Sequence, residues 1–398
     1  MKIIDTHKHL YFSSIYFFGY AAYATFALDF IFYSEKIGFS NTEIGLIYAF
    51  KILMGILFQP LFGLVCDYLK STRKMLLTMG AAAFVLSAAL PPASSELLMS
   101  KLLILIIDFS YTFAVCAFMP LVDNWVVSEY MDDKRFHFGS LRLWGAVGYG
   151  IAALYYGRMT MSMDVANIYY GRAILFVIAT LFIFVNRHES KTYNKTEQQE
   201  NPDVRALLIK KEYWLFFIFL FVFCFPVNAA GAFFPRLLLE RGSTNQTIGL
   251  ISSINAFIEI PFFLYVGKLT RKIGSRGLIL LGAFFMAVRI LGFASADSIP
   301  VLLVFSLCSA PYFSFFMAGL IFYSHNLAPK NTRAFALTSL QGFAMGIAGT
   351  LGSYFGGMIV DSRGIRSLYS YGAVMCGLGI VMFIVTSAWL RKHRVVGN

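Results

Sequence analysis

Long runs of apolar residues, each separated from the next by a few polar or charged ones, recur along the whole chain. Twelve of them reach the roughly 20 residues that an α-helix needs to cross about 30 Å of hydrocarbon. They lie near residues 10–34, 43–66, 74–92, 97–127, 138–158, 165–186, 212–235, 246–267, 276–295, 298–325, 333–358 and 367–389. Such long, continuous runs predict helices and not strands, because a lipid-exposed span must satisfy its own backbone hydrogen bonds. An all-α membrane protein with twelve transmembrane helices is expected.

The polar start of two runs is repeated. Ser40 to Ile47 reads SNTEIGLI and Thr244 to Ile251 reads TNQTIGLI, 204 residues later. At the same offset Gly63, in GLVCDYLKSTRK, maps onto Gly267, in GKLTRKIGSR. A spacing of about half the chain implies two related halves, since solenoids repeat every 20 to 50 residues. The one long polar stretch, Arg187 to Trp214, falls between the sixth and seventh runs. Its charged, Gln-rich composition predicts a partly disordered tether with a short amphipathic helix near Val204 to Lys211. The expected organisation is an N-terminal six-helix bundle (1–186), a cytoplasmic linker (187–211) and a C-terminal six-helix bundle (212–398). Six spans on each side make the repeat parallel, about an axis along the membrane normal, and two such bundles can rock about a central cavity.

Composition agrees with lipid as the solvent. The chain is 58% hydrophobic and 17% aromatic but only 14% charged, against roughly 25% charged in a soluble domain. A net charge of +12 could suit nucleic acid, but the cations sit in short loops and form no single patch. With a cytoplasmic N-terminus, 22 of the 33 Lys and Arg fall inside and 8, Arg172 among them, outside, which places both termini in the cytoplasm. The five cysteines stand singly in apolar stretches, as small buried hydrophobes do. His7 and His9 lack a third ligand, so neither a metal nor a cofactor is expected.

Ionisable residues inside the runs are the candidate chemistry: Lys51, Asp108, Asp123, Arg142, Glu259 and Arg289, with Asp29 near an outer end. Each costs about 3 kcal/mol at a helix centre, so it should face a wet cavity or another charge. Structural ion pairing is the plainer reading, with Asp29 and Lys51 the candidate pair. Asp123 and Arg142 together could hold a hydroxyl-rich solute, each supplying hydrogen bonds that the other cannot. Glu259, alone in an apolar helix, is a natural proton carrier, and Asp108 is a further proton-coupling candidate.

The loop Gly63 to Lys74 resembles the signature between the second and third spans of the major facilitator superfamily. That resemblance implies a gating latch built from Gly63, which allows close helix approach, and Asp67, with Arg73 and Lys74 in the same loop. Arg271 occupies the second copy where the first has Asp67, so only the first loop should latch through a carboxylate. The segments PLVDNW (Asp123) and FGSLRLWGAVGYG (Arg142) resemble the oligosaccharide, phenylpropionate and nucleoside permeases of that superfamily. By the same resemblance, Tyr149, Asn228 and Glu259 become substrate contacts, and Glu259 and Arg289 serve proton coupling. Tyr312 and Phe313 could stack on a solute ring, although aromatic stripes more often pack. Ser306 and Ser309 stand where the oligosaccharide permeases carry a histidine and a glutamate, so that proton relay does not transfer. Glycines at 145, 148 and 150, and at 342, 346, 349, 352, 356 and 357, should permit close helix contacts.

The reading is a major facilitator secondary transporter, and not an enzyme. It would import a small polar solute, such as a sugar, an oligosaccharide or a nucleoside, with protons. The chain lacks an ATP-binding P-loop sequence. A proton-driven exporter of lipophilic compounds and an aromatic acid permease are the alternatives. The expected setting is a bacterial cytoplasmic membrane, with lipid and protons as partners, no nucleic acid, and a monomeric protein.

Overall fold

A computed structural model of the chain describes residues 6–69, 71–95, 101–130, 138–185, 204–328 and 332–396. All regular structure among them is helical. The helices are α1 (Thr6–Tyr23), α2 (Phe26–Ile31), α3 (Asn41–Leu69), α4 (Thr72–Ala93), α5 (Lys101–Val115), α6 (Phe118–Tyr130), α7 (Phe138–Met159) and α8 (Ile168–Val185). After the linker come α9 (Val204–Leu208), α10 (Lys211–Ala232), α11 (Phe234–Glu240), α12 (Asn245–Ser295), α13 (Ile299–Ser306), α14 (Ser309–Leu327), α15 (Arg333–Ser339), α16 (Gly346–Arg363) and α17 (Ile365–Val396). The short helix expected near Val204 is α9. The rest of the tether, 187–203, lies outside the described residues.

Ten helices or helix runs among the described residues are long and apolar enough to cross a membrane. One of them, α12, has 51 residues, about 77 Å at 1.5 Å per residue and far beyond one bilayer crossing. Gly274, with φ 69° and ψ 176°, breaks it. Only glycine adopts that backbone cheaply, so this residue sets where the chain changes direction.

Packing divides the chain into two compact units. The first comprises residues 1–39, 54–194 and 243–257, the second 40–53, 195–242 and 258–398. In the first, α1 lies along α7 and α8, and α4 lies along α8 and α5. Its core gathers Phe12, Tyr16, Phe118, Trp125 and Phe176. Gly148 brings α7 against α1, since a Cβ there would fall 2.1 Å from the Phe17 carbonyl oxygen. In the second unit α10 packs on α16 and α17. A column of rings, Phe219, Phe223, Phe316 and Tyr312, fills its interior.

Candidate functional site

Among the described residues, four apolar helix runs are interrupted part-way. The breaks fall at Ala24–Thr25 between α1 and α2, Cys116–Ala117 between α5 and α6, Phe233 between α10 and α11, and Leu307–Cys308 between α13 and α14. At membrane depth such backbone persists only inside protein or beside a water-filled cavity. In the first unit side chains satisfy the freed carbonyls: Tyr23 Oη donates to Val115 O at 2.9 Å and Gln59 Nε2 to Cys116 O at 2.9 Å. Candidate site residues ride on these broken helices.

On α1, Tyr16 and Tyr20 are one turn apart with parallel rings, 6.3 Å between centroids and 10° between planes. Tyr16 is fully buried and donates from its hydroxyl to Asp123 Oδ1 on α6 at 2.5 Å. Tyr20 presents its face to Arg142 on α7, with the guanidinium carbon 3.9 Å from the ring centroid. Arg142 lies close enough for its charge to act on Asp123. Gly145 makes room for this: a Cβ there would fall 2.6 Å from the Tyr20 ring and 2.9 Å from Arg142 Nη1. Acid, arginine and two phenol rings are thus assembled by three helices of one unit. Tyr149, half-buried, follows Arg142 two turns along the same face of α7.

Tyr16 and Tyr20 did not stand out in the sequence, and their one signal was the four-residue spacing on the first span. Arg172 was misread there as a loop cation outside the membrane. The structure corrects this: Arg172 is 2% exposed, inside α8. It donates from Nε to Ser87 Oγ at 2.9 Å and stacks on Tyr111 (3.6 Å) and Tyr169 (4.5 Å). Asp29 and Asp108 are buried within its electrostatic reach. Tyr169 donates to Asp29 at 3.1 Å and Tyr33 to Asp108 at 2.7 Å. The first unit therefore holds a buried polar cluster that positive-inside counting cannot separate from a loop. Lys51 is half-buried on α3, in the part of that helix that belongs to the second unit.

In the second unit Asn228 bonds back to Cys224 O on α10 at 2.8 Å, and its amide fills the space over Gly349 of α16. Arg289 lies against Phe234 and Phe293, 5.3 and 4.9 Å from their centroids. Glu259 is half-buried, two residues before Pro261 in α12. Tyr312 is buried in the ring column, and Phe313 meets Phe263 edge-on at 6.0 Å.

Among the described residues, a Cβ at Gly63 would meet nothing within 4 Å. Arg73 ties α4 to the end of α8 in its own unit, donating to Ile183 O at 3.2 Å and Phe184 O at 2.6 Å. Lys74 is exposed, and its backbone N–H is taken by Ser71 Oγ at 3.2 Å, the cap of α4. The side chain of Asp67 lies outside the described residues.

Helices broken around acid, arginine and aromatic groups define a membrane transporter for a small molecule. The chain belongs to the MFS_1 like family, whose profile it matches over residues 9–371. It is 24% identical to the maltose permease of Geobacillus stearothermophilus, over 98% of this chain and 95% of that one. It is 22% identical to the nucleoside permease NupG of Escherichia coli (strain K12), over 90% and 89%. Its fold is similar to the crystal structure of the nucleoside transporter NupG, with a TM-score of 0.78 at 17% identity, covering 96% and 98%. It is also similar to that of the D-xylose-proton symporter, with a TM-score of 0.71 at 16% identity, covering 94% and 96%. These relatives are permeases and transporters, not enzymes.

Proposed function

We propose that this chain is a proton-coupled importer of a neutral, hydroxyl-rich solute, a sugar, an oligosaccharide or a nucleoside, working by alternating access. One observation carries the reading: Asp123 and Arg142 sit in reach of each other, the acid held by the buried Tyr16 hydroxyl and the guanidinium by the face of Tyr20. A carboxylate accepts from two hydroxyls, a guanidinium donates to ring or ether oxygens, and a phenol face covers the apolar side of a sugar or base. An aromatic acid would need the cation without the acid beside it. Asn228, with Tyr149 on the Arg142 face, is the next candidate for solute contact. Proton coupling is assigned to Glu259, with Arg289 and Asp108 as further members.

Splitting α12 at Gly274 and counting α7 supports twelve crossings, six on each side of the tether, and the loop charges support cytoplasmic termini. A bacterial inner membrane and a monomer complete the reading. The test is uptake by proteoliposomes of labelled maltose, sucrose and uridine under an imposed inward proton gradient. Accumulation of one of them, abolished by a protonophore, is expected. Glu259→Gln should keep solute exchange but lose gradient-driven accumulation. Equal uptake with and without the gradient would remove the coupling, and uptake of none of the three would remove the solute class.

A further inference from the structure

We infer that Asp361 is a clasp holding the start of α3 to the end of α16, and that transport requires this clasp to open. The inference rests on the alternating-access reading above and assigns a role to the repeated stretch with which α3 begins. Within the second unit, the Asp361 carboxylate accepts four hydrogen bonds from the start of α3. They come from Asn41 N (3.3 Å), Asn41 Nδ2 (2.8 Å), Thr42 N (2.7 Å) and Thr42 Oγ1 (2.6 Å).

The first N–H groups of a helix have no partner inside it. The sequence SNTE supplies one from within: Ser40 Oγ accepts from Glu43 N at 3.2 Å, and Glu43 Oε2 accepts from Ser40 N at 2.7 Å. The next two donors, at Asn41 and Thr42, go to a carboxylate carried by a different helix. Below the clasp the two backbones touch. A Cβ on Gly45 would fall 2.3 Å from Ser353 O, and one on Gly357 would fall 2.3 Å from Asn41 O. These glycines leave no side chain between the helices, as close helix pairs in lipid require.

The second copy docks in the same way within the first unit. A Cβ on Gly249 would fall 2.4 Å from Ala153 O, and one on Gly157 would fall 2.9 Å from Asn245 O. Each copy of the repeat thus rests its glycine on a small residue and on a glycine four positions later, Ser353 and Gly357 or Ala153 and Gly157. The clasp is not repeated. The register that pairs Gly157 with Gly357 puts Met161 opposite Asp361, and a thioether cannot accept four such bonds. The start of the second copy is capped by its own Thr244, whose Oγ1 accepts from Thr247 N at 3.3 Å.

One docking contact is therefore apolar and the other is fastened by a single carboxylate. Asp361 is solvent-exposed, so water can replace its bonds and the clasp can part without a large barrier. In the proposed topology this contact lies on the outer face, where the solute enters. Opening must lift α3 from α16 and uncover Ser353, which is 1% exposed.

The experiment reads maleimide labelling at position 353 in the full-length Ser353→Cys protein in proteoliposomes, by peptide mass spectrometry. Gly45→Trp, a wedge in the docking contact, sets the rate for the open form. Asp361→Asn and Asp361→Ala should raise the labelling rate about 5- to 10-fold, the scale of a lost helix cap, and Thr42→Val less. Asp361→Glu should restore it in part. A rate within about two-fold of the parent for both Asp361 variants, while the wedge raises it, overturns the clasp. A rate that the wedge does not raise overturns the opening itself. Parallel uptake of maltose and uridine separates the two readings: labelling that responds as expected without uptake of either keeps the clasp and removes the solute assignment.

Discussion

The phenol of Tyr16 donates to Oδ1 of Asp123 across 2.5 Å, joining the first helix to the sixth in the interior of one unit. A hydrogen bond to a charged group contributes about 1.5–3 kcal/mol, and here it also fixes which way the carboxylate points. Tyr16→Phe should raise the KM for the transported solute about 10-fold, with maximal rate changed less than two-fold, because Asp123 loses its orientation but keeps its charge. Asp123→Asn should abolish uptake while leaving thermal unfolding in detergent near the parent value. Equal losses of uptake and stability in both variants would make the pair a packing device only.

Two glycines three residues apart in α7 give a sharper contrast. A Cβ at Gly145 would meet the movable side chains of Tyr20 and Arg142, whereas one at Gly148 would meet the backbone of α1 at Phe17. Gly148→Ala should therefore cost stability, about 1–3 kcal/mol as overpacking does. Gly145→Ala should fold, but displace Arg142 from its ring and cut solute affinity at least several-fold. Thermal melting and uptake measured on the same preparations check both outcomes.

The helical runs and the charges Asp123 and Arg142 within them were legible because lipid imposes a coarse rule on sequence. A span needs length and apolarity, and a charge inside one needs a reason; Asp123 and Arg142 stood out on that rule alone. Tyr16 and Tyr20 did not, being lost among 22 Tyr and 42 Phe, since a ring facing lipid and a ring packed inside the bundle read alike. Arg172 was hidden for the opposite reason. It lies four residues into α8, close to the polar turn around Asp164, and only packing shows that Tyr111 and Tyr169 enclose it. The four hydrogen bonds that Asp361 accepts at the start of α3 were not legible either, because the chain order could not say which helix end would meet an acid.

Arg172 supports a stability prediction of its own. Removing one member of a buried charged cluster costs about 3–5 kcal/mol, because the others keep their desolvation. Arg172→Met should lower the unfolding midpoint sharply and reduce the folded yield. Arg172→Lys should recover little, since an ammonium lacks the flat face that Tyr111 and Tyr169 sandwich. Near-parental melting of Arg172→Lys would show that charge alone matters there.

Acid sensitivity should be traceable to Asp164, in the loop before α8. Burial alone would raise its pKa, but hydrogen bonds from Lys36 Nζ at 2.6 Å and Ala166 N at 2.9 Å outweigh that and hold it below the ordinary 3.8. A carboxylate depressed on folding stabilises the fold above its unfolded pKa, and the gain disappears as pH falls through the lowered value. The pair is partly solvent-exposed, so water screens it and the contribution is about 0.2–1 kcal/mol. Asp164→Asn should leave stability less steeply pH-dependent below about pH 4, with no effect on the alkaline side. A parental acid limb in that variant would assign the dependence elsewhere.

The cytoplasmic end proposed for the second unit is held by a polar knot whose members can be ranked. Glu212 Oε1, at the start of α10, accepts from Arg276 Nη2 at 3.0 Å and from Tyr323 Oη at 2.9 Å. Lys210 Nζ reaches the Leu327 carbonyl at 2.9 Å, closing α10 onto the end of α14. Glu212, Arg276, Tyr323 and Leu327 border a cavity of about 360 Å³ beside Gly274, where α12 turns. Glu212 and Arg276 are only 11% and 21% exposed, so their attraction is screened less than that of a surface pair. Tyr323 loses one bond when changed to Phe, whereas loss of Glu212 strands two donors. Glu212→Gln should therefore destabilise more than Tyr323→Phe, by about 1–2 kcal/mol. A double-mutant cycle of Glu212→Gln and Arg276→Gln should give a coupling energy above about 0.5 kcal/mol, as contacting groups do. Additive effects on melting would mean that the two charges meet without stabilising the turn at Gly274, leaving the glycine backbone alone to place it.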